Sequence, residues 1–141
     1  IGLESTIINL VGKPIILRPG GLEVEKIEKA LNKKIKIKKN NKNILSPGQF
    51  NFHYSPGIPV RLNAKNPKRN EALIQFSKSK HNHKNYFYLS KKGSMKEAAK
   101  ELYSLLRLIK KMKYKSIAVN KIPNKGLGIA INDRLKRASY K

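Results

Sequence analysis

One long amphipathic segment limits what this chain can fold into. From Ser94 to Lys111 apolar residues recur every three or four positions, at Met95, Ala98, Ala99, Leu102, Leu105, Leu106 and Ile109, and the stripe continues to Met112. This period is typical of a helix with one buried face. Ser94 followed by Glu97 forms a capping-box pattern, so we predict that the helix begins directly after Ser94. A helix with so apolar a face needs a sheet or other helices to cover it.

The sequence on both sides of this segment predicts the strands and helices that bury its apolar face. From residue 58 onward short β-branched or aromatic runs alternate with longer periodic segments. Such alternation implies parallel strands joined by helical crossovers, and therefore a small three-layer α/β domain. We predict strands at Pro59–Leu62, Tyr86–Leu89 and Ser116–Asn120, and helices at Asn70–Ser77, Ser94–Lys111 and Gly126–Ala138.

The first forty residues follow a different pattern. Two short apolar runs, Ser5–Leu10 and Pro14–Arg18, are separated by a Gly-Lys-Pro turn and predict a strand pair. A helix of about three turns should follow, because Val24, Ile27, Ala30 and Leu31 recur at helical spacing. The alternating IKIKK that begins at Ile35 is typical of an edge strand with outward lysines.

Composition excludes several classes of protein. The chain has no cysteine, which rules out disulfides, thiolate metal sites and a cysteine nucleophile. No run of eighteen apolar residues and no signal-peptide pattern is present, so we expect no membrane association and a cytoplasmic location. The net charge is +24, with 32 Lys and Arg in 141 residues. Because these residues are spread along the chain and are mostly Lys, we expect only weak, nonspecific affinity for nucleic acids.

The stretch SPGQFNFHYSPGIPV, residues 46–60, stands out because it contains no Lys, Arg, Asp or Glu. Its prolines stiffen the backbone, and its aromatic residues need a surface to pack against. It lies between the two predicted parts and should therefore fold over one of them. One interpretation is simple packing of Phe50, Phe52 and Tyr54 on the neighbouring domain, and the other is a lid over a ligand.

Three smaller patterns have both a functional and a structural interpretation. His81 and His83 are two positions apart, but no carboxylate or cysteine is near them, so we predict no metal site. Gly126 and Gly128 lie at a strand-to-helix turn, as in phosphate loops. Ile131 takes the place of the third glycine of the dinucleotide pattern, so we predict tight helix packing instead. Asp133 and the arginine after it are expected to pair or to cap the last helix.

Four motifs together resemble a known family. In order they are GLESTIINL, IILRPGG, SPGQFNFHYSP and GLGIAINDRLKRAS, and they extend over nearly the whole chain. They resemble the second half of the long, two-domain form of L-threonylcarbamoyladenylate synthase. The resemblance implies the terminal strands and helix of a truncated YrdC-like α/β domain, followed by a linker and a C-terminal Rossmann-like three-layer domain. The implied reaction makes threonylcarbamoyl-AMP and pyrophosphate from L-threonine, bicarbonate and ATP, for the t6A modification of tRNA.

The resemblance also implies roles for individual residues. Ser5 matches a serine that contacts L-threonine, and Arg18 and Tyr54 match residues that bind ATP. Thr6 and His53 are their neighbours and are expected to have supporting roles. ATP is implied as a substrate, with Mg²⁺ in the intact enzyme, and no tightly bound cofactor is implied. No residue of this chain matches a catalytic group or a metal ligand of the family.

The resemblance implies a division into residues 1–39, the end of the catalytic domain, residues 40–57, the linker or active-site lid, and residues 58–141, the C-terminal domain. Most of the catalytic domain, including its phosphate-binding residues, has no counterpart here. We therefore expect the chain to be inactive alone and to need a complementary N-terminal fragment. Two alternatives remain open, a stand-alone interaction module and a basic tRNA-associated protein.

Overall fold

The N-terminal part of the protein is built around a small sheet. Strand β1 (Ile7–Asn9) pairs antiparallel with β2 (Ile15–Arg18), which confirms the predicted strand pair. Strand β3 (Lys36–Ile37) pairs parallel with β2 and lies at the edge of the sheet, as its lysines indicate. The computed structural model that gives this description covers residues 2–38, 56–80 and 83–139.

One short helix covers this sheet. Helix α1 (Val24–Ala30) has Glu23 at its N-cap and Glu25 in its first turn. Negative charges are favourable at a helix N-terminus. Its apolar side packs on β2 in a cluster of four buried residues, Ile16, Val24, Ile27 and Ile35. A cluster this small buries little apolar surface, so the N-terminal part depends on contacts with the rest of the chain.

The larger sheet is entirely parallel. Its strands are β4 (Val60–Arg61), β5 (Glu71–Ser77), β6 (Tyr86–Ser90) and β7 (Ser116–Val119). They lie in the order β4-β7-β5-β6, so that β5 and β7 are the two central strands. Three of the four strands lie within a residue or two of the predicted positions.

The predicted helix at Asn70–Ser77 is wrong, because this segment forms strand β5. Ala72, Leu73 and Ile74 are all fully buried, with successive side chains on opposite faces of the sheet. A strand at the centre of a parallel sheet is covered on both faces, and its sequence is therefore apolar without alternation. The same sequence suits a helix by propensity, and the pairing of β5 with both β6 and β7 decides in favour of the strand.

Glu71 at the start of β5 is 2% exposed and is held by an ion pair. Its Oε2 accepts hydrogen bonds from Arg61 Nη2 and from the amide of Lys68, each 2.7 Å long, and its Oε1 accepts one of 3.0 Å from Ser116 Oγ. Burial raises the pKa of this carboxyl, but the Arg61 guanidinium and the other donors outweigh burial and leave the pKa below its ordinary value.

Two long helices cover one face of the larger sheet. They are α2 (Met95–Lys111) and α3 (Leu127–Ser139), close to their predicted positions. Their apolar sides share one core with alternate residues of the strands, including Ala72 and Ile74, and with Leu3 near the N-terminus. The predicted N-cap is confirmed, since Ser94 Oγ accepts the amide of Glu97 at 3.3 Å. The Glu97 carboxylate accepts a hydrogen bond from Ser90 Oγ, 2.5 Å long, instead of closing a capping box.

On the opposite face of the sheet, the described residues include no helix. In the described residues, Leu73 and Ala118 on this face are covered by Ala64, from the β4–β5 connection, and by Tyr86. Of the three helices predicted for this part of the chain, Asn70–Ser77 is a strand, and the other two, α2 and α3, lie on one face. No helix within the described ranges is long and apolar enough to cross a bilayer.

Candidate functional site

Arg18 ends β2, and its side chain is buried rather than solvated in the turn that follows. Only 9% of the residue is exposed. Both Nε and Nη2 donate to the carbonyl oxygen of Ser5, at 3.2 and 3.0 Å. The fold therefore brings together two of the residues implied to bind substrates, which are 13 positions apart in the sequence.

Ser5 and Thr6 precede β1 and differ in their surroundings. Ser5 is exposed, so its hydroxyl is accessible to a ligand. The Thr6 hydroxyl donates a hydrogen bond of 2.6 Å to the carbonyl of Leu22. Because β1 begins only at Ile7, Ser5 and Thr6 lie just before the strand rather than in the predicted strand Ser5–Leu10. Thr6 has a structural partner in this arrangement.

The Pro-Gly-Gly turn after Arg18 packs directly on the segment that carries Ser5. The amide of Gly21 donates to the carbonyl of Glu4 at 2.8 Å. A Cβ placed on Gly20 would lie 2.3 Å from Glu4 O and 2.5 Å from backbone atoms of the next two residues. No side chain larger than hydrogen fits here, and this explains why glycine follows the proline.

A buried arginine of α3 holds the same two segments from the other side. Arg134 is 1% exposed. Its Nε donates to Glu4 Oε2 at 3.0 Å, and its Nη2 donates to the carbonyl of Pro19 at 3.0 Å. Its Nη1 donates to Asp133 Oδ2 at 2.5 Å, so the expected pairing of these neighbours is confirmed. The contacts with Glu4 and Pro19 were not predicted from the sequence.

The charge of Arg134 is secured by its neighbours. Burial lowers the pKa of the guanidinium, but the carboxylates of Glu4 and Asp133 outweigh burial and raise the pKa above its ordinary value. Tyr103 also points its hydroxyl at Glu4, at 3.3 Å from Oε1. A charged side chain at such a depth is stable only when it is paired and hydrogen-bonded, as this one is.

The start of α3 does not form a phosphate loop. The amide of Gly126, which has a φ of +53°, donates to Glu25 Oε1 at 2.9 Å. A carboxylate of α1 therefore lies where a phosphate would bind. At Gly128 the predicted tight packing is confirmed, since an added Cβ would lie 2.0 Å from the carbonyl oxygen of Pro123. Gly126 is needed for its backbone conformation.

Several predictions lie outside the described residues. They are the predicted ATP contact of Tyr54, the supporting role of His53, and the packing or lid role of most of the uncharged stretch 46–60. The prediction for His81, one of the histidine pair, also lies outside them. The other member of that pair, His83, is exposed, and its ring centre is 5.0 Å from that of Tyr86. In the parts of the chain that the structure covers, no group of three or more His, Asp or Glu side chains could hold a metal ion.

Comparison with known proteins places this chain among threonylcarbamoyl-AMP synthases. Residues 22–139 match the family model described as the C-terminal domain of threonylcarbamoyl-AMP synthase. The chain is 30% identical over 160 aligned positions to threonylcarbamoyl-AMP synthase from Pyrococcus abyssi, and 29% identical over 159 to that from Bacillus subtilis. In both alignments 99% of this chain and 46% of the relative are covered.

A solved structure has the same fold. The crystal structure of P. abyssi Sua5 complexed with L-threonine superposes with a TM-score of 0.79 and 28% identity, covering 97% of this chain and 46% of that one. The mixed α/β architecture with a parallel sheet is thus shared with Sua5, and the chain spans about half the length of the relatives it matches. On these similarities in sequence and fold, the chain belongs to the threonylcarbamoyl-AMP synthase family.

Proposed function

We propose that this chain contributes part of the substrate site of a threonylcarbamoyl-AMP synthase. The reaction joins L-threonine, bicarbonate and ATP into threonylcarbamoyl-AMP, with release of pyrophosphate and water, and serves the t6A modification of tRNA. The observation that carries the proposal is the contact of Arg18 with the carbonyl of Ser5, because it brings two implied substrate residues together in a chain of this family.

The proposed roles follow from the chemistry of each side chain. The accessible Ser5 hydroxyl contacts L-threonine, the ligand bound in the P. abyssi relative. Arg18 and Tyr54 contact ATP, the first through its charge and the second by stacking or through its hydroxyl. Thr6 and His53 support them, and any Mg²⁺ enters with the ATP phosphates.

Formation of an adenylate places negative charge on phosphate oxygens and demands close positioning of two substrates. Arg18 is suited to a fixed position because its guanidinium is buried and anchored on a backbone carbonyl. A single guanidinium supplies only part of the charge that ATP needs. The proposal therefore includes further cationic groups from another polypeptide segment.

The surface of the N-terminal part supports the need for such a segment. Leu10, Val11 and Leu22 are 66%, 87% and 52% exposed, and they lie on or beside a sheet whose strands have only two to four residues. Exposed apolar residues beside short strands are typical of a surface that another element covers. We propose as its occupant the half of the synthase that this chain does not span.

The domain assignments belong to the same proposal. Residues 1–39 complete a YrdC-like catalytic domain, residues 40–57 form the linker over its active site, and residues 58–141 form the Rossmann-like C-terminal domain. Ser5 and Arg18 then lie in the catalytic domain, where L-threonine, bicarbonate and ATP meet.

The test is reconstitution of activity. The purified chain is incubated with ATP, L-threonine and bicarbonate, alone and with a separately produced polypeptide that corresponds to the other half of the family. Pyrophosphate and threonylcarbamoyl-AMP are then measured. We expect product only from the mixture, and we expect Ser5→Ala, Arg18→Gln and Tyr54→Phe to reduce it. Matched controls are Ser104→Ala and Arg107→Gln, two exposed positions on α2.

Each result has a defined meaning. Product from the chain alone would show that the other half is not needed, and no product from the mixture would refute the synthase proposal. A chain that binds tRNA with an affinity falling steeply with salt, and unaffected by L-threonine or ATP, would instead support the basic tRNA-associated alternative. Stable binding to the other half without product would favour an interaction module.

A further inference from the structure

Helix α3 contacts the N-terminal part of the chain at three separate places. The amide of Gly126 binds Glu25 at its start, and Ile129 packs on the small apolar cluster beneath α1. Arg134 then reaches the segments on either side of the implied substrate residues. The last of these contacts differs in kind, because a single guanidinium joins two segments that carry different substrate residues.

The two segments are neighbours of the implied site. Glu4 directly precedes Ser5, and Pro19 directly follows Arg18. The segments already touch each other through Gly21 N and Glu4 O and through Arg18 and Ser5 O. Both of these contacts are made within the N-terminal part. The hydrogen bonds of Arg134 differ because they come from a helix of the C-terminal part.

The rigidity of Arg134 suits it to this task. The planar guanidinium presents its donors in fixed directions, so bonds from Nε to Glu4 and from Nη2 to Pro19 set the distance between their acceptors. Nη1 is fixed by Asp133 on the same helix. Burial of the side chain excludes water that would compete for these acceptors.

We infer that Arg134 is a positioning residue, which holds the Glu4–Ser5 segment and the Arg18–Pro19 turn in the relative placement that the substrate site needs. The site itself rests on the proposed function above. Arg134 acts on substrates through these two segments, and the C-terminal part thereby contributes to the geometry of a site that lies in the N-terminal part.

Arg137 offers a matched control. It lies on the same helix, is 2% exposed, and its hydrogen bonds within the described residues go to Asp133. Within the described residues its hydrogen bonds and ion pair involve neither Glu4 nor Pro19. Substituting Arg137 removes a buried guanidinium from the same helix without removing the link between the segments.

The first experiment measures hydrogen exchange in the full chain, which requires no enzymatic activity. In Arg134→Gln the amide of Gly21 should exchange about 10-fold faster or more, relative to the core amide of Leu73, because a charge-assisted bond to Glu4 is lost. Arg137→Gln should leave this ratio unchanged. Glu4→Gln removes the negative charge that Arg134 binds but keeps the size of the side chain. It should also speed exchange of the Gly21 amide, by less than Arg134→Gln does.

The second experiment uses the reconstituted synthase. Arg134→Gln should raise the KM for L-threonine about 10-fold or more, with a smaller change in kcat, because the Ser5 segment is misplaced. Arg134→Lys should restore part of the loss, since one ammonium can bind Glu4 or Pro19 O but cannot set both. Arg137→Gln should leave KM unchanged even where it lowers stability.

The two experiments separate the inference from the function on which it rests. If the wild-type mixture makes no product, the proposed function fails while the exchange of Gly21 still decides whether Arg134 fixes the two segments. Equal Gly21 exchange in wild type, Arg134→Gln and Glu4→Gln would overturn the inference. The inference would also be overturned if the mixture is active and Arg134→Gln and Arg137→Gln change the KM for L-threonine by the same factor.

Discussion

Replacing Gly128 by alanine should destabilise the protein, although alanine is the better helix former. Gly128 is the second residue of α3 and is buried against the segment before it. By propensity alone, Gly→Ala inside a helix stabilises by about 1 kcal/mol. The packing at this position acts in the opposite direction, and the two effects can be compared directly.

The magnitude follows from one distance. The new Cβ would lie 2.0 Å from the carbonyl oxygen of Pro123 and 3.2 Å from Met95 Cε. The methionine can move, but the carbonyl belongs to the backbone and must retreat by about 1.4 Å before an ordinary van der Waals contact is reached. Overpacking of this kind costs about 1–3 kcal/mol, and a backbone clash belongs at the upper end. After the propensity gain, the net loss should be about 2 kcal/mol.

The assay is urea unfolding followed by circular dichroism. With a slope of about 2 kcal/mol per molar urea, the midpoint should fall by about 1 M. Gly12→Ala is a matched control for backbone strain without a clash, since its φ is +73° and nothing lies within 4 Å of the added Cβ. That variant should lose about 1 kcal/mol. An unchanged or higher midpoint for Gly128→Ala would refute the close packing of α3 on Pro123.

Three further predictions use the same unfolding assay. Leu102→Ala should cost about 2–5 kcal/mol because the side chain is fully buried in the main core, whereas Leu102→Met should cost less than about 1.5 kcal/mol; equal losses would contradict the packing described. Ser94→Ala should cost about 1 kcal/mol through loss of the α2 N-cap, and no loss would show that the cap is dispensable. Glu71→Gln should cost about 1–3 kcal/mol at neutral pH. Because the folded pKa of Glu71 is lowered, its contribution is present above the ordinary value of 4.5 and is lost as pH falls through the lowered pKa, so the difference from wild type should close in acid; a constant difference would contradict this.

Local sequence pattern predicted the elements whose signals lie within a few residues, such as helix α2 and the β-branched strand β7. Helix α2 has a continuous apolar stripe and a cap, and both signals are local. Strand β5 was missed because its run of Glu71, Ala72, Leu73 and Ile74 lacks the alternation of a half-exposed strand. Pairing with β6, the next strand along the chain, and with β7 makes it a strand, and neither pairing is visible in the local sequence.

Motif resemblance names candidate site residues one at a time, and their arrangement depends on the tertiary fold. Motif resemblance named Ser5 and Arg18, yet nothing in the sequence shows that one guanidinium binds the other residue's carbonyl. Arg134 did carry a signal, since it lies seven residues after Leu127 and therefore on the apolar face of α3. A charged residue on an apolar face needs a buried partner, but the identity of Glu4 as that partner depends on the tertiary fold.

The contact between Arg134 and Glu4 also bears on the order in which the chain can fold. Its two residues are 130 positions apart, and the contact of Gly126 with Glu25 joins residues 101 apart. On the ribosome the strands of the N-terminal part emerge before the helix that fixes them. The segment bearing Ser5 therefore cannot be held by α3 until the residues of α3 have been synthesised. Contacts of this sequence separation also slow folding, because a long loop must close before they form.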